Sequence, residues 1–167
     1  MVRLAGWKHC PRCAAALEND GQTATCAACG FAAYAGPEST VSALVADDEG
    51  RILLARRKFE PEAGKWDLPG GFLHEEEEPL DGLQRELREE AGVEIEPLRF
   101  AGVWADRYGG DDDATATLNL YWTARIVSGE PTPADDVSEL RWFSLDDLPP
   151  DDELAFDNVA EALRSRR

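Results

Sequence analysis

Past residue 29 the sequence contains no cysteine, and its 167 residues include two histidines and one methionine. His9 and His74 stand apart, and both read as ordinary polar positions rather than a catalytic pair. Lysines are few, and 17 basic residues face 34 acidic ones, for a formal charge of −17. A surface this acidic repels long polynucleotides, so no long nucleic-acid partner is expected. No run of 18 apolar residues exists, which predicts no membrane-spanning helix. The opening MVRLAGWKHCPRC has no apolar leader stretch, and the protein is expected to be cytoplasmic. Internal repeats and low-complexity tracts are also missing. What remains is 43% hydrophobic, enough for one core in a chain sized for a single domain with a small appendage.

The appendage is where the cysteines are. Cys10-Pro-Arg-Cys13 and Cys26-Ala-Ala-Cys29 are two C-x-x-C pairs separated by twelve residues. Each pair brings two thiolates to one side of an ion, so two pairs can enclose a tetrahedral Zn²⁺. A closed four-cysteine site holds a fold together and does not catalyse. Residues 1–36 are therefore expected to be a zinc ribbon, too short for a core of its own without a metal. Gly36-Pro37 punctuates the boundary with a second domain over 37–167.

In that second domain, VSALVA (41–46) and RILLARR (51–57) flank the turn DDEG and predict a hairpin. LRFAGVWADRY (98–108), TLNLYWTARIV (117–127) and ELRWFSL (139–145) predict further strands. The second of these alternates, with Leu118, Leu120, Trp122, Ala124 and Ile126 on one face. GGDDDA (109–114) predicts a polar turn. Phe156, Val159, Ala160 and Leu163 recur at helical spacing and predict a closing helix. The whole reads as an α/β fold.

Pro79 and Gly92 bracket another predicted helix, since proline suits a first turn and glycine a left-handed cap. Its buried stripe is expected to be Leu80, Leu83, Leu87 and Ala91. Gly82 looks like a blemish costing about 1 kcal/mol relative to alanine. Glu86, Glu89 and Glu90 fall at i, i+3 and i+4 at the edge of that stripe, where like charges repel. Arg85 and Arg88 are expected to point elsewhere and not to neutralise all three. A hard divalent cation such as Mg²⁺ would do so through carboxylate oxygens; a plain solvated acidic face is the other reading of the same residues.

The wider spacing carries more. Gly71, Glu77, Arg85-Glu86-Leu87, Glu89-Glu90 and Gly92-Val93 follow the order G-x5-E-x7-R-E-U-x-E-E-x-G-U, where U is a bulky aliphatic. This resembles the signature of the Nudix hydrolases, and Gly64-Lys65-Trp66-Asp67-Leu68-Pro69-Gly70-Gly71 is similar to the stretch that precedes it there. The resemblance implies an α/β/α sandwich with a mixed sheet. It implies that Glu86, Glu89 and Glu90, with the carbonyl of Gly71, hold catalytic Mg²⁺ or Mn²⁺, and that Arg85 and Glu77 orient the loop against the helix. It implies hydrolysis of a nucleoside diphosphate derivative by metal-activated water. Glu89 and Glu90 are candidates for the general base, but the family often recruits an acid from a later loop; here SGEPTPADD offers Glu130, Asp135 and Asp136, which otherwise read as a polar turn.

A zinc ribbon ahead of such a domain resembles the NADH pyrophosphatase group, but the S-Q-P-W-P-F-P-x-S motif of that group is absent. ADP-ribose, NADH, another dinucleotide and a nucleoside triphosphate all stay open as substrates. Trp66 and Trp104, with Tyr108, are candidates for stacking on a base, against core packing as their other role. Arg56 and Arg57 are candidates for receiving phosphates, against a solvated strand end. A homodimer is compatible with the sequence. The competing functional reading is a nucleotide-sensing regulator that binds a ligand without turnover.

Overall fold

The computed structural model describes residues 4–110 and 114–166. The chain divides into two compact units, Met1–Glu38 and Ser39–Arg167. The first carries three short antiparallel strands in the order β1 (Glu18–Asn19), β2 (Thr23–Thr25) and β3 (Ala32–Tyr34). Among the described residues its buried apolar side chains are Leu4, Cys10, Ala24 and Cys26, so half of these are cysteines.

The second unit is a mixed α/β sandwich. One sheet has the order β7-β4-β9-β8, formed by β4 (Glu38–Val45), β7 (Gly70–Phe72), β8 (Glu94–Tyr108) and β9 (Thr115–Ser128). The other has the order β10-β5-β6, formed by β5 (Ile52–Arg57), β6 (Trp66–Asp67) and β10 (Val137–Phe143). The helices are α1 (Pro79–Ala91) and α2 (Asp157–Arg164). Alternation along the two most apolar strands explains the layering. Leu44, Ile52 and Leu54 pack with Val159, Ala160 and Leu163 of α2. Val41, Ala43, Val45 and Leu53 pack with Leu83, Leu87 and Ala91 of α1. Strands buried on both faces read as continuous apolar runs, as VSALV and ILLA do.

Two expectations about these elements are corrected. The 41–57 hairpin does not form: an isolated bridge joins Ala46 to Ile52 beyond the turn, and then β4 and β5 diverge into different sheets. Each strand must cover a different helix, and that burial outweighs local pairing. On β9 the expected face holds, with Leu120, Trp122, Ala124 and Ile126 packed on the same core cluster, while Thr117, Asn119, Tyr121 and Thr123 are buried on the opposite face. Both faces are covered, and the polar one lines a cavity. On α1, Leu80 is exposed, because the first turn projects beyond the sheet, while Leu83, Leu87 and Ala91 are buried. Residues 111–113 of the expected GGDDDA turn lie outside the described residues.

Candidate active site

The glutamate helix ends where its sequence suggests. Gly92 takes φ 67° and returns its N–H to the carbonyl of Arg88 at 3.0 Å. Two carbonyls of the last turn are then capped by the loop that follows β9. Thr132 N–H donates to Ala91 O and Ala134 N–H to Glu90 O, each at 2.9 Å. Completing the end of α1 in this way carries Asp135 and Asp136 to the side of Glu90. Glu130 does not line the cavity.

Gly82 is no blemish. A Cβ there would sit 2.4 Å from Leu73 Cδ2 and 3.0 Å from Glu77 Oε2, so the loop preceding the helix lies directly on it. Gly71 is as constrained, since its Cβ would fall 2.6 Å from the Glu86 carboxylate. Gly70 sits at φ 147°, where a Cβ would meet Val41 O at 2.1 Å. The Gly-Gly pair thus lets strand β7 run against both β4 and the helix glutamates.

Arg85 overturns the expectation that it points away. Nε donates to Glu77 Oε1 at 2.8 Å, Nη2 to Glu77 Oε2 at 2.9 Å and to Phe72 O at 3.1 Å. Nη1 reaches Glu86 Oε1 at 2.7 Å and Glu89 Oε2 at 3.1 Å. A planar guanidinium presents five donors in a rigid fork, and here one fork serves three carboxylates. Paired with Arg85, Glu77 titrates at about 2. Arg88 pairs with Glu94 instead.

Glu90 is left out of that clasp. It is buried, accepts only the Gly70 N–H among backbone donors at 2.8 Å, and faces Asp136. Burial raises its pKa well above the ordinary carboxylate range, and the neighbouring Asp136 charge adds to the rise. Burial also raises Glu86, against the pull of Arg85. Two carboxylates sharing a site with no basic partner must either hold a proton between them or bind a cation. Hard oxygen donors at a water-accessible cavity suit a divalent ion.

That cavity holds about 290 Å³. Glu86, Glu90, Gly70, Gly71 and Asp136 form one part of its wall. Glu89 does not line it; its side chain is 49% exposed and turned to Arg85. Of the five candidate substrate contacts, Arg57 and Tyr108 line the cavity, and the donors of Arg57 are engaged. They reach Pro61 O at 2.8 Å, Asp67 Oδ2 at 3.2 Å and Tyr108 Oη at 2.9 Å. Arg56 lies outside and bonds Gly64 O. Trp66 is 4% exposed and meets Phe143 edge-on in the core. Trp104 lies over Gly102 and against Tyr121, with ring centroids 5.0 Å apart. Both indoles are packing residues because each meets an aromatic partner inside the unit. Sequence reasoning missed Asp67, Asp106, Asn119 and Phe156, all of which line the cavity. Asp67 follows Trp66 in the Gly64–Gly71 stretch and was within reach; burial pushes it up to about 6 against the pull of Arg57. The others carried no local signal.

In the first unit, Cys10 Sγ lies 3.6 Å from Cys29 Sγ, and Cys13 Sγ 3.6 Å from Cys26 Sγ, with all four sulfurs within 4.8 Å of one another. A tetrahedron with metal–sulfur bonds of about 2.3 Å has edges of roughly 3.8 Å, so these sulfurs fit one metal ion. The two knuckles match: Ala14 N–H returns to Cys10 O and Gly30 N–H to Cys26 O, each at 2.9 Å, with φ 60° and 72°. Ala14 takes the left-handed conformation that glycine takes in the second knuckle.

A cavity walled by helix carboxylates on one side and polar side chains on the other is suited to water attack on an anionic phosphorus centre. Comparison with known proteins agrees. The NUDIX domain family matches residues 36–163, and the chain belongs to that family as a Nudix hydrolase. An ADP-ribose pyrophosphatase from Methanocaldococcus jannaschii is 32% identical over 127 residues, 75% of this chain and 70% of that protein. NAD-capped RNA hydrolase NudC from Pseudomonas aeruginosa is 35% identical over 130 residues, 75% of this chain but 42% of the relative, so the match spans less than half of that protein. The crystal structure of a NUDIX hydrolase from Nitrosomonas europaea superposes with a TM-score of 0.76. It covers 95% of this chain and 89% of that one at 23% identity, a likeness of fold. No helix among the described residues is long and apolar enough to cross a membrane.

Proposed function

We propose that this chain hydrolyses the diphosphate linkage of a nucleoside diphosphate derivative, with ADP-ribose, NADH and other dinucleotides as the substrate class. The observation that carries this reading is the buried Glu90, set against Asp136 with a single backbone donor and no basic side chain among the described residues. Glu86, Glu90 and the Gly71 carbonyl would hold Mg²⁺ or Mn²⁺, joined by Glu89 once it exchanges its Arg85 contact. Such ions supply charge neutralisation at the diphosphate and acidify water. Zn²⁺ would occupy the four cysteines in a structural role.

The chain's own residues do the rest. Arg85 and Glu77 hold the segment that carries Gly71 against α1, which keeps Glu86 at the cavity wall. Gly70 N–H fixes one oxygen of Glu90. Asp136, beside Glu90, is the group placed to take the proton of the attacking water, and the loop–helix hydrogen bonds at Ala134 hold it there. The relatives' activities on ADP-ribose and NAD-linked substrates support the class.

The test is a panel of ADP-ribose, NADH, diadenosine polyphosphates and nucleoside triphosphates with Mg²⁺ or Mn²⁺. Nucleoside monophosphate release by the wild type, lost in Glu90→Gln, is the expected result. Binding of these nucleotides without turnover under either ion would replace this reading with that of a nucleotide sensor.

A further inference from the structure

The cavity wall opposite the glutamates contains an oxygen with nothing to do. Asp106 lies on β8, directly across from Thr117 of β9, and lines the cavity. Its Oδ1 accepts the Arg107 N–H at 2.7 Å. Its Oδ2 is enclosed and has no protein donor, the only buried side-chain oxygen in that state among the described residues. Native proteins satisfy nearly all such atoms, so each exception asks for a reason.

Several neighbouring donors are committed elsewhere. Asn119 spends its amide N–H groups on Trp104 O and Thr117 Oγ1, each at 3.1 Å, and its oxygen accepts from Thr40 at 2.7 Å. Tyr121 Oη donates to Asn158 at 2.8 Å. Arg107 turns its guanidinium to Ala114 O at 3.1 Å. Rotating the Asn119 amide or the Tyr121 hydroxyl to Asp106 would break a hydrogen bond already made.

Two residues further along the same face of β8 is an aromatic surface. Tyr108 contacts Phe72 edge-on at 5.2 Å and Phe156 at 5.7 Å. The Arg57 guanidinium holds the Tyr108 and Phe156 rings together, at 5.5 and 5.3 Å from their centroids. The rings touch one another, so a planar group would stack on their shared surface rather than slip between them.

We propose that Asp106, beside the Tyr108–Phe156 surface, is the specificity-determining acceptor of a nucleoside subsite, and that it takes a neutral N–H or O–H donor from the base or the ribose. The assignment rests on the diphosphate reading above and adds an orientation to it. Phosphate oxygens are acceptors and share the carboxylate's sign, so they would face the glutamate wall only through the divalent ions proposed there, and not Asp106. The part of the substrate that reaches Asp106 must carry a donor and no negative charge. A site built around a buried acceptor rejects ligands without the matching donor far more strongly than an apolar pocket would.

Calorimetry without added metal tests this on AMP and GMP and on forms lacking one donor: purine riboside monophosphate, IMP and the 2′-deoxy counterparts. Wild type, Asp106→Asn and Asp106→Ala are compared. For the tighter-binding nucleotide, both substitutions should weaken binding by about ten- to a hundredfold. One donor-deleted ligand should show the same loss with the wild type and no further loss with the variants, a coupling that only a direct contact produces. An amine-deleted ligand behaving so places the base at Asp106; a 2′-deoxy ligand places the ribose there. The ligand-free Asp106→Asn variant, which keeps the acceptor for the Arg107 N–H, should melt close to the wild type, and this excludes misfolding as the cause. Unchanged affinities, an equal change for every ligand, or no binding of any nucleotide by the wild type would overturn the proposal. Donor-selective binding in a wild type that hydrolyses nothing would instead sink the reaction and leave this subsite standing.

Discussion

Two sets of ligand-type side chains converge in this protein, and they are supported in opposite ways. The four sulfurs of residues 10–29 sit in a unit whose buried apolar side chains, among the described residues, are Leu4, Ala24 and two of the cysteines themselves. The glutamates of residues 86–90 sit on a helix anchored by Leu83, Leu87 and Ala91, none of them measurably exposed, and Arg85 gathers two of the three. The first set makes its fold; the second is mounted on one. A metal at the first should contribute folding free energy outright, whereas a metal at the second should mainly enable chemistry.

The largest effect expected from this contrast is at the cysteines. A strong chelator should abolish amide-exchange protection across residues 4–35 while the strands and helices of Ser39–Arg167 keep theirs. Retained protection in both regions would erase the distinction. Next comes Glu90→Gln, which should lower kcat by about two orders of magnitude or more, as removal of a catalytic carboxylate does. The metal-free variant should be no less stable than the wild type, because an amide at that buried position has no charge to desolvate. A fall in urea midpoint equal to the loss in rate would make Glu90 structural.

Arg85→Ala should lower the urea midpoint, because it leaves Glu77 and Glu86 without their shared guanidinium. Arg85→Lys should recover little, since an ammonium cannot reproduce the fork. Full recovery would show that charge alone holds the site. Gly82→Ala should destabilise by about 1 kcal/mol or more, the contact with Leu73 and Glu77 outweighing the helix propensity gained. A more stable variant would mean that the loop is free to move off the helix.

The smallest effect concerns pH. Burial raises the folded-state pKa of Asp67 to about 6 and that of Glu90 well above its ordinary value, so the folded state binds more protons than the unfolded chain in mildly acid solution. Stability of the metal-free protein should therefore rise as pH is lowered from 7 towards 5. Glu77 acts with the opposite sign. Its folded pKa of about 2 lies below the ordinary 4.5, so its contribution is present above about 4.5 and is lost as pH falls towards 2. Mg²⁺ should raise Tm at pH 7 and raise it less at pH 5, where protons compete for the same oxygens. A flat profile in the metal-free protein would mean that Glu90 and Asp67 are as well solvated as surface acids.

Much of the carboxylate wall could be read in the chain because its members are local. Glu86, Glu89 and Glu90 fall within two helical turns, and Gly71 and Glu77 lie shortly before them. The spacing of the cysteine pairs was legible for the same reason. Trp66, Trp104 and Arg56 were misplaced because aromatic and basic side chains serve cores and surfaces as readily as ligands, and only their neighbours decide which. Asp106, Asn119 and Phe156 come from three separate elements with no motif among them, and no local pattern marks residues that meet only across a cavity.

By itself the sequence determined which residues belong to one helix, where that helix starts and stops, and which thiols and carboxylates stand close enough along the chain to share an ion. Periodicity, caps and short-range spacing are properties of neighbouring residues, so they are written in their order. Only the tertiary structure decided that β4 and β5 part into two sheets, that Arg85 clasps the glutamates it was expected to ignore, and that Asp106 faces the cavity with an unanswered oxygen. Those outcomes turn on which distant groups compete for the same burial and the same hydrogen-bond partners, and that competition begins only once the chain has packed.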